Sequence, residues 1–166
     1  MTNAPLSVLL DRMAVQDLLM RYFNAADRSD RKAVRSCFTQ DVSAQYEGRP
    51  SVRGVDALMA QIALFDNLAT GATTVATHFT GNLLFKELAG DYAETEHNVI
   101  ACLVDRSGTT VAIRCLRYLD RLRREDGEWR IFARVHTLDW SCDLPCAFAR
   151  PFGQKVDGFP ADWPTR

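Results

Sequence analysis

The 166-residue sequence lacks an excess of charge of either sign, since 20 lysines and arginines stand against 21 aspartates and glutamates and the net charge is −1. Without a surplus of basic residues, the charge composition does not indicate a nucleic acid or an anionic membrane as a partner. Long apolar runs are missing as well, because charged residues interrupt every hydrophobic stretch well short of the ~20 residues that a membrane span needs. The N-terminal stretch has no basic run before a long apolar core. We therefore expect a cytoplasmic protein with no membrane partner.

Motifs for cofactors and metal ions are missing too. The sequence contains no G-x-G-x-x-G, P-loop, H-E-x-x-H or G-x-S-x-G. Its five cysteines, an odd number, argue against a disulfide framework, and the pair Cys142 and Cys146 lacks the further ligands that a zinc site needs. The cluster Glu94, Glu96 and His97 splits across the two faces of its predicted strand. We predict no cofactor and no metal, so that any chemistry must use acids and bases alone.

What is present is typical of one folded domain, with 47% hydrophobic and 25% charged residues in a chain long enough to close a sizeable core. Helical spacing of apolar residues predicts helices over 11–28, 30–38 and 55–65, the second of them capped by Asp30. A short strand over 41–46 separates the second helix from the third. The front of the chain is therefore mainly helical.

From residue 74 the hydrophobic period changes towards two, and turn residues separate the apolar runs. This pattern predicts four long strands joined as an antiparallel meander, over about 75–86, 92–105, 110–124 and 128–140. Helices followed by such a sheet describe an α+β domain with the helices on one face of the sheet. We place this domain at residues 1–140. The aromatic, aperiodic residues 141–166 are predicted to be an extension that packs on the domain or on a neighbouring subunit.

An aspartate and a histidine fall at positions that pattern drives inward. Along the first helix, Leu19 and Phe23 belong to an apolar i, i+4 row, and the next step of that row is Asp27. Alternation in the strand 75–86 gives one face that is small and polar in its middle, as the wall of a cavity would be. Its residues are Ala76, His78, Thr80, Asn82 and Leu84. Because a carboxylate that accepts from one ring nitrogen orients an imidazole and raises the basicity of the other nitrogen, we predict His78 as a general base with Asp27 as its partner.

Both residues also have structural interpretations. Thr80 and Asn82 could satisfy His78 within the protein, and Asp27 could cap a loop or pair with a nearby arginine. Asn82 is at the same time a candidate for binding a substrate. Alternation in the strand 92–105 places His97 on an apolar face, where it is either a ligand contact or a core histidine.

The last hairpin supplies three more candidates. If Asp126 and Gly127 form its two-residue turn, the numbers of paired residues sum to 253 and Arg114 faces Asp139. This pair, with Tyr118 on the same face, would either orient a substrate carbonyl or hold two strands together. The opposite face is interpreted as solvated or as a polar dimer surface. It carries Arg117, Arg121, Arg134 and His136.

Four stretches carry a resemblance to a known family: MAVQDLLMRYFNAADRSDRKAVRSCFTQDV, G-x-D-A-L at 54–58, THFTGN at 77–82 and RYLDRLRREDGEWRI at 117–131. Over about residues 8–140 the chain resembles the SnoaL-like branch of the nuclear-transport-factor-2-like superfamily. The resemblance implies a curved antiparallel sheet wrapped around N-terminal helices, which forms a cone with a pocket at its wide end. The branch includes polyketide cyclases, scytalone dehydratase, bile-acid dehydratase and lindane dehydrochlorinase.

For this chain the resemblance implies an Asp and His dyad at Asp27 and His78 that removes a proton during elimination. In the dehydratases a tyrosine on the first helix assists the leaving group, and Tyr22 is the corresponding candidate; a core aromatic is its structural interpretation. The same cone also hosts isomerases, carriers and noncatalytic subunits, so the fold alone predicts function weakly.

Three hypotheses follow. The first is a cofactor-independent lyase or isomerase that acts on a small hydrophobic cyclic substrate in a pocket lined by Phe23, Phe79 and Leu84. The second is a binding module that takes such a molecule without chemistry. The third is an assembly subunit. A homodimer or homotrimer is expected in the first two cases.

Overall fold

The helices occupy the first half of the chain and the long strands the second half, in a computed structural model that describes residues 6–151, 154 and 158–160. The helices are α1 (Leu6–Asp27), α2 (Arg31–Ser36), α3 (Val55–Gln61) and α4 (Ala63–Ala69). The strands are β1 (Phe38–Tyr46), β2 (Val52–Arg53), β3 (Thr73–Ala89), β4 (Tyr92–Asp105), β5 (Thr110–Glu125) and β6 (Glu128–Pro145). The predicted α+β class is confirmed. No helix in these ranges is long and apolar enough to cross a membrane.

Helix α1 lies against the sheet along its predicted apolar row. Val15, Leu19 and Phe23 are each at most 3% exposed, and burial of side chains of this size contributes about 1.5–3 kcal/mol each. The helix begins at Leu6, five residues before the predicted start at 11. Its first turns leave Leu9 half-exposed, so the amphipathic pattern that predicts the helix begins only where the sheet covers it.

The other helices fill the end of the sheet nearest to the C-terminus of α1. Asp30 caps α2 as predicted, since its carboxylate accepts from the Ala33 N–H at 2.9 Å. The predicted helix over 55–65 is wrong in one respect, because Ile62 leaves the helical conformation (ψ 89°) and separates α3 from α4. Ile62 is buried, so the apolar pattern continues through the break.

The six strands form one sheet in the order β2-β1-β6-β5-β4-β3. All neighbours are antiparallel except β1 and β6, which are parallel. The predicted two-residue turn of the last hairpin is confirmed. Asp126 (φ 52°) and Gly127 (φ 81°) both have the positive φ of a type I′ turn, which suits the twist of a hairpin.

Beta-bulges change the predicted faces of β3 and β6. The pairing sum of 253 holds from the turn to Leu122 and Ile131, but Phe132 and Asp139 are then extra residues on β6. On β3 the register shifts between Gly81 and Leu84. Because side chains alternate with a period of two, one extra residue moves all the following side chains to the opposite face. These bulges decide which side chains reach the concave face of the sheet.

Candidate active site

A cavity of about 260 Å³ lies between the concave face of the sheet, the end of α1 and the break between α3 and α4. Five aromatic or imidazole rings line it, on α1, β1, β3, β5 and β6 respectively: Tyr22, Tyr46, His78, Tyr118 and His136. Leu103, Leu116 and Leu138 supply apolar wall, and Arg49 and Arg114 are the cationic residues of the lining. The cavity therefore combines an apolar body with a few polar groups, as small-molecule sites do.

The His78 ring and the Asp27 carboxylate are in direct contact. Nδ1 of His78 lies 2.6 Å from Oδ1 of Asp27, and the His78 backbone N–H donates to Oδ2 at 2.9 Å. Since β3 is an edge strand, this N–H has no neighbouring strand on that side and is available to the end of α1. An ionised carboxylate only accepts, so Nδ1 of a neutral ring carries the proton. Nε2 is then the unprotonated nitrogen left to face the cavity.

The dyad is shielded from solvent on most sides. The side chains of His78 and Asp27 are 8% and 15% exposed, and the Phe23 ring stacks on the imidazole with centroids 5.5 Å apart. His78 pairs across the strands with Ala101, whose methyl group leaves the space above it open. A shielded carboxylate and imidazole interact more strongly than in water, which suits a general base held in one orientation. The structure thus brings together the two residues that the sequence singled out.

Tyr22 also lies on the cavity wall. Its hydroxyl is 3.1 Å from the hydroxyl of Tyr46, and the Arg134 guanidinium stacks over its ring at 4.2 Å. Burial raises the pKa of Tyr22 well above the usual value for a phenol. Tyr22 therefore stays a neutral hydroxyl that can donate a hydrogen bond towards the cavity.

The predicted pair of Arg114 and Asp139 is wrong, because the two bulges on β6 change the register. Arg114 pairs with Ser141, and Asp139 lies on the outer face, 3.7 Å from Arg117. Asp139 is therefore not at the cavity. Arg114 is, but its side chain is exposed at the mouth and has no carboxylate within salt-bridge distance among the described residues.

The buried ion pair of the sheet joins Asp120 and Arg134 instead. The Arg134 Nε and Nη2 atoms donate to the two Asp120 oxygens at 2.7 and 2.8 Å, and both side chains are fully buried. The sequence analysis placed Arg134 on a solvated face, which is wrong. The guanidinium lies beneath the rings of Tyr22 and Tyr118 and so supports the tyrosine side of the cavity.

Tyr118 lies in the cavity wall, whereas His97 lies in the core. Tyr118 lines the cavity as predicted, and burial raises its pKa above the usual value. His97 is 1% exposed and does not line the cavity, so its assignment as a substrate contact is wrong and its interpretation as a core histidine holds. Its ring stacks parallel to that of Tyr118 at 5.3 Å, with Phe23 edge-on at 5.9 Å.

The end of β3 departs from the predicted alternation after Gly81. Asn82 adopts a left-handed conformation (φ 50°) at the bulge and is exposed, so it does not line the cavity. Phe79 and Leu84 are 63% and 55% exposed and are not in the cavity wall either. The bulge turns Leu83 and Phe85 inward, where they pack against the core.

Sequence reasoning did not assign Tyr46 or Arg49 to the cavity, and it also missed His136, which it placed on a solvated face. The Nδ1 atom of His136 accepts the backbone N–H of Glu47 at 3.4 Å, and its ring stacks on Tyr46 with centroids 4.9 Å apart. Burial, helped by the charge of Arg134, lowers the pKa of His136 to about 4. A neutral ring whose Nδ1 accepts must carry its proton on Nε2, so His136 is a hydrogen-bond donor. The bulge at Phe132 turns it inward.

The side chains of the described residues do not form a metal centre. Within residues 6–151, 154 and 158–160, no three His, Cys, Asp or Glu side chains cluster in a way that could hold a metal ion. Apart from the dyad and His136, the polar groups of the cavity are hydroxyls, a glutamate, an amide and two guanidiniums.

Comparison with known proteins gives one family and many related structures. Residues 7–135 match the family model of the SnoaL-like domain. A protein described as a scytalone dehydratase from Novosphingobium aromaticivorans is 17% identical, with a TM-score of 0.72 over 89% of this chain and 97% of the other. The hexachlorocyclohexane dehydrochlorinase LinA-type3 from Novosphingobium barchaimii is 20% identical, with a TM-score of 0.72 over 89% and 100%.

A third structure, a protein of unknown function from Mycobacterium tuberculosis, is 28% identical, with a TM-score of 0.69 over 84% of this chain and 78% of the other. No curated protein matches the sequence. At their levels of identity the two named enzymes show the fold and not the activity.

Proposed function

The chain belongs to the SnoaL-like domain family, and from that premise we propose that it is a cofactor-independent lyase that eliminates water or halide from a small cyclic substrate. His78 is the general base and Asp27 is its orienting partner. The observation that carries the proposal is the double contact of the Asp27 carboxylate with the Nδ1 atom and the backbone N–H of His78, at the wall of an apolar cavity.

The first step is the removal of a proton from carbon. Nε2 of His78 takes a proton next to an activating group, the electron pair of the C–H bond forms the new double bond, and the bond to the leaving group breaks. Asp27 stabilises the imidazolium that forms. Without a leaving group, return of the proton to another carbon would give an isomerase, which is the alternative outcome at the same site.

The departing group needs a hydrogen-bond donor in addition to the base. Tyr22 is neutral, and its contact with the Tyr46 hydroxyl at 3.1 Å leaves one of the two hydroxyl protons free to be donated to the substrate. For elimination of water, hydroxide leaves with a proton that the imidazolium supplies, which regenerates the base. The names of the dehydratase and dehydrochlorinase with the same fold favour this class of reaction.

The test uses cyclic β-hydroxy and β-chloro ketones, whose elimination gives an enone that absorbs in the ultraviolet. We expect His78→Ala and Asp27→Asn each to lower kcat/KM by about 10²- to 10⁴-fold, which is the contribution typical of a general base. Asp17→Asn, at an exposed position of the same helix, is the matched control and should change the rate less than about twofold. Full activity in either dyad variant would contradict the mechanism. Ligand that binds and returns unchanged would indicate a binding module.

An assembly subunit is the second candidate, and the outer face of the sheet favours it. Phe79, Ile100, Cys115 and Trp140 follow one another in register across β3 to β6. Phe79, Ile100 and Trp140 are 63%, 41% and 51% exposed. We call these four residues the outer row. A continuous exposed apolar strip marks a protein interface. We propose that a homodimer or homotrimer of the lyase forms there, whereas a larger catalytic chain bound to the same strip would make this protein an assembly subunit. Co-purification with a larger catalytic chain would favour the assembly subunit over the lyase.

A further inference from the structure

Two arginines stand at the mouth of the cavity. Along β5 the cavity residues Tyr118, Leu116 and Arg114 run from buried to exposed, so Arg114 marks the open end. Arg49 follows β1 in the turn that begins at Tyr46 and lines the same cavity. The neighbouring Glu47 carboxylate accepts from the backbone N–H of Leu138, whose ladder partner Leu116 is two residues from Arg114. Both guanidiniums therefore belong to the same end of the cavity.

Neither guanidinium is neutralised within the described chain. Arg49 and Arg114 have no side-chain hydrogen bond and no carboxylate within 4 Å there, although most other arginines do, for example Arg121 with Glu94 at 2.9 Å. Glu47 is the carboxylate of the cavity lining, and it lies outside salt-bridge distance of both. Two uncompensated guanidiniums beside an apolar cavity raise the local affinity for an anion.

The ladder fixes how far the backbone of Arg114 lies from that of His78. His78 pairs with Ala101, and Ala101 pairs with Arg114, so the three residues form one row across β3, β4 and β5 on the concave face. Two strand spacings separate the backbones of His78 and Arg114 by about 10 Å. Ala101 fills little of the space between them. A single ring with a charged substituent would span from Nε2 of His78 to the guanidinium.

We propose that Arg114, assisted by Arg49, binds the carboxylate of the substrate, and that the substrate is a cyclic carboxylic acid of about one ring. This inference rests on the proposed function for the identity of the reacting carbon, which faces His78, but the subsite itself requires only binding. The cavity volume of about 260 Å³ lies just below the ~300–1,000 Å³ typical of ligand pockets, which favours one ring over a polycyclic molecule. The carboxylate is an anchor at the mouth, while the apolar ring lies against Leu116 and Leu138.

The experiment compares matched acids and amides by calorimetric titration of the full chain. The probes are benzoate with benzamide, cyclohexanecarboxylate with cyclohexanecarboxamide, and phenyl phosphate. We expect each acid to bind at least about tenfold more tightly than its amide, because a hydrogen bond between a guanidinium and a carboxylate is stronger than one to a neutral amide. Arg114→Gln should reduce this preference to about twofold, Arg49→Gln should reduce it partly, and Arg114→Lys should retain part of it. Arg53→Gln, at an exposed position outside the cavity lining, is the control and should keep the full preference.

His78→Gln separates this inference from the proposed function, because it should lose elimination activity and keep the preference for acids. Equal binding of acid and amide to the wild-type chain, or binding of neither, would overturn the carboxylate subsite. A preference for acids that persists in the double variant Arg49→Gln, Arg114→Gln would also overturn the carboxylate subsite. Phenyl phosphate that binds more than tenfold tighter than benzoate would replace the carboxylate by a phosphate ester and so contradict the proposal. The binding results do not depend on whether the dyad is catalytic.

Discussion

Acidification should destabilise this protein through His97. Both ring nitrogens of His97 are buried and have no hydrogen-bond partner among the described residues, and the ring packs against Tyr118 and Phe23. Burial in this apolar contact disfavours the charged form and lowers the pKa of His97 from 6.5 to about 4. Between pH 6.5 and about 4, the His97 ring is therefore protonated in the unfolded chain but neutral in the folded chain.

The sign and size of the effect follow from this difference. Between pH 6.5 and about 4 the unfolded state binds more protons than the folded state, so stability is complete above pH 6.5 and is lost as the pH falls. At about 1.4 kcal/mol per pKa unit, the full difference amounts to about 3 kcal/mol, and by pH 4.5 roughly 2 to 3 kcal/mol should be gone. This is a large share of the ~5–15 kcal/mol that stabilises a typical domain. His136 adds to the loss in the same direction, but it is only partly buried.

The assay is urea unfolding at pH 7.0, 5.5 and 4.5 and constant ionic strength, for the wild-type chain and for His97→Phe. The variant keeps an aromatic ring against Tyr118 and removes the titration, so its loss of stability between pH 7.0 and 4.5 should be smaller by about 2 kcal/mol. An NMR titration of the native chain provides a second measurement, in which the His97 ring should titrate near pH 4. Equal losses in both chains, or a native midpoint above pH 6, would refute the reasoning.

Two more predictions concern the sheet. Asp120→Asn should lower the free energy of unfolding by about 3–5 kcal/mol, because it leaves the Arg134 guanidinium buried beside a neutral amide. Urea unfolding measures this change. An effect no larger than that of the exposed Asp17→Asn would contradict the prediction. Trp140→Lys should convert the oligomer into a monomer of 18.7 kDa, seen by light scattering after gel filtration, because it places a charge in the outer row. Leu9→Lys on α1 is the control and should leave the oligomer intact. A wild-type chain that is itself monomeric would contradict the proposed interface.

The dyad could be predicted because both of its members follow an undisturbed local period. Asp27 continues the i, i+4 row of α1, and the helix runs without a break to that residue. His78 lies in the part of β3 that pairs with β4 without irregularity, from Val75 to Gly81. Where the period is unbroken, the spacing in the sequence directly gives the face of the helix or strand on which a side chain lies. Two residues far apart in the chain could therefore each be assigned to the interior.

The opposite wall could not be predicted in the same way. Asn82 was assigned to the cavity by extending the alternation through a bulge, and Arg114 was given Asp139 as a partner by extending a register through two. The sequence marks the first bulge weakly, since Gly and Asn adjoin there and Asn tolerates a left-handed backbone. Nothing in the residues around Phe132 distinguishes a bulged strand from a regular one. Local pattern therefore fails at the point where pairing with another strand decides the geometry.

The bulge at Phe132 nevertheless has a cause that the sequence contains. Asp120 alternates with Tyr118 and Leu122 along β5, so the regular half of the hairpin already directs its carboxylate into the core. With an unbroken register Arg134 would point to solvent, and an unpaired carboxylate in the core would cost several kcal/mol. One extra residue brings Arg134 to that carboxylate and, by the same shift, turns His136 into the cavity. The polar wall opposite the dyad is thus a consequence of satisfying one buried aspartate.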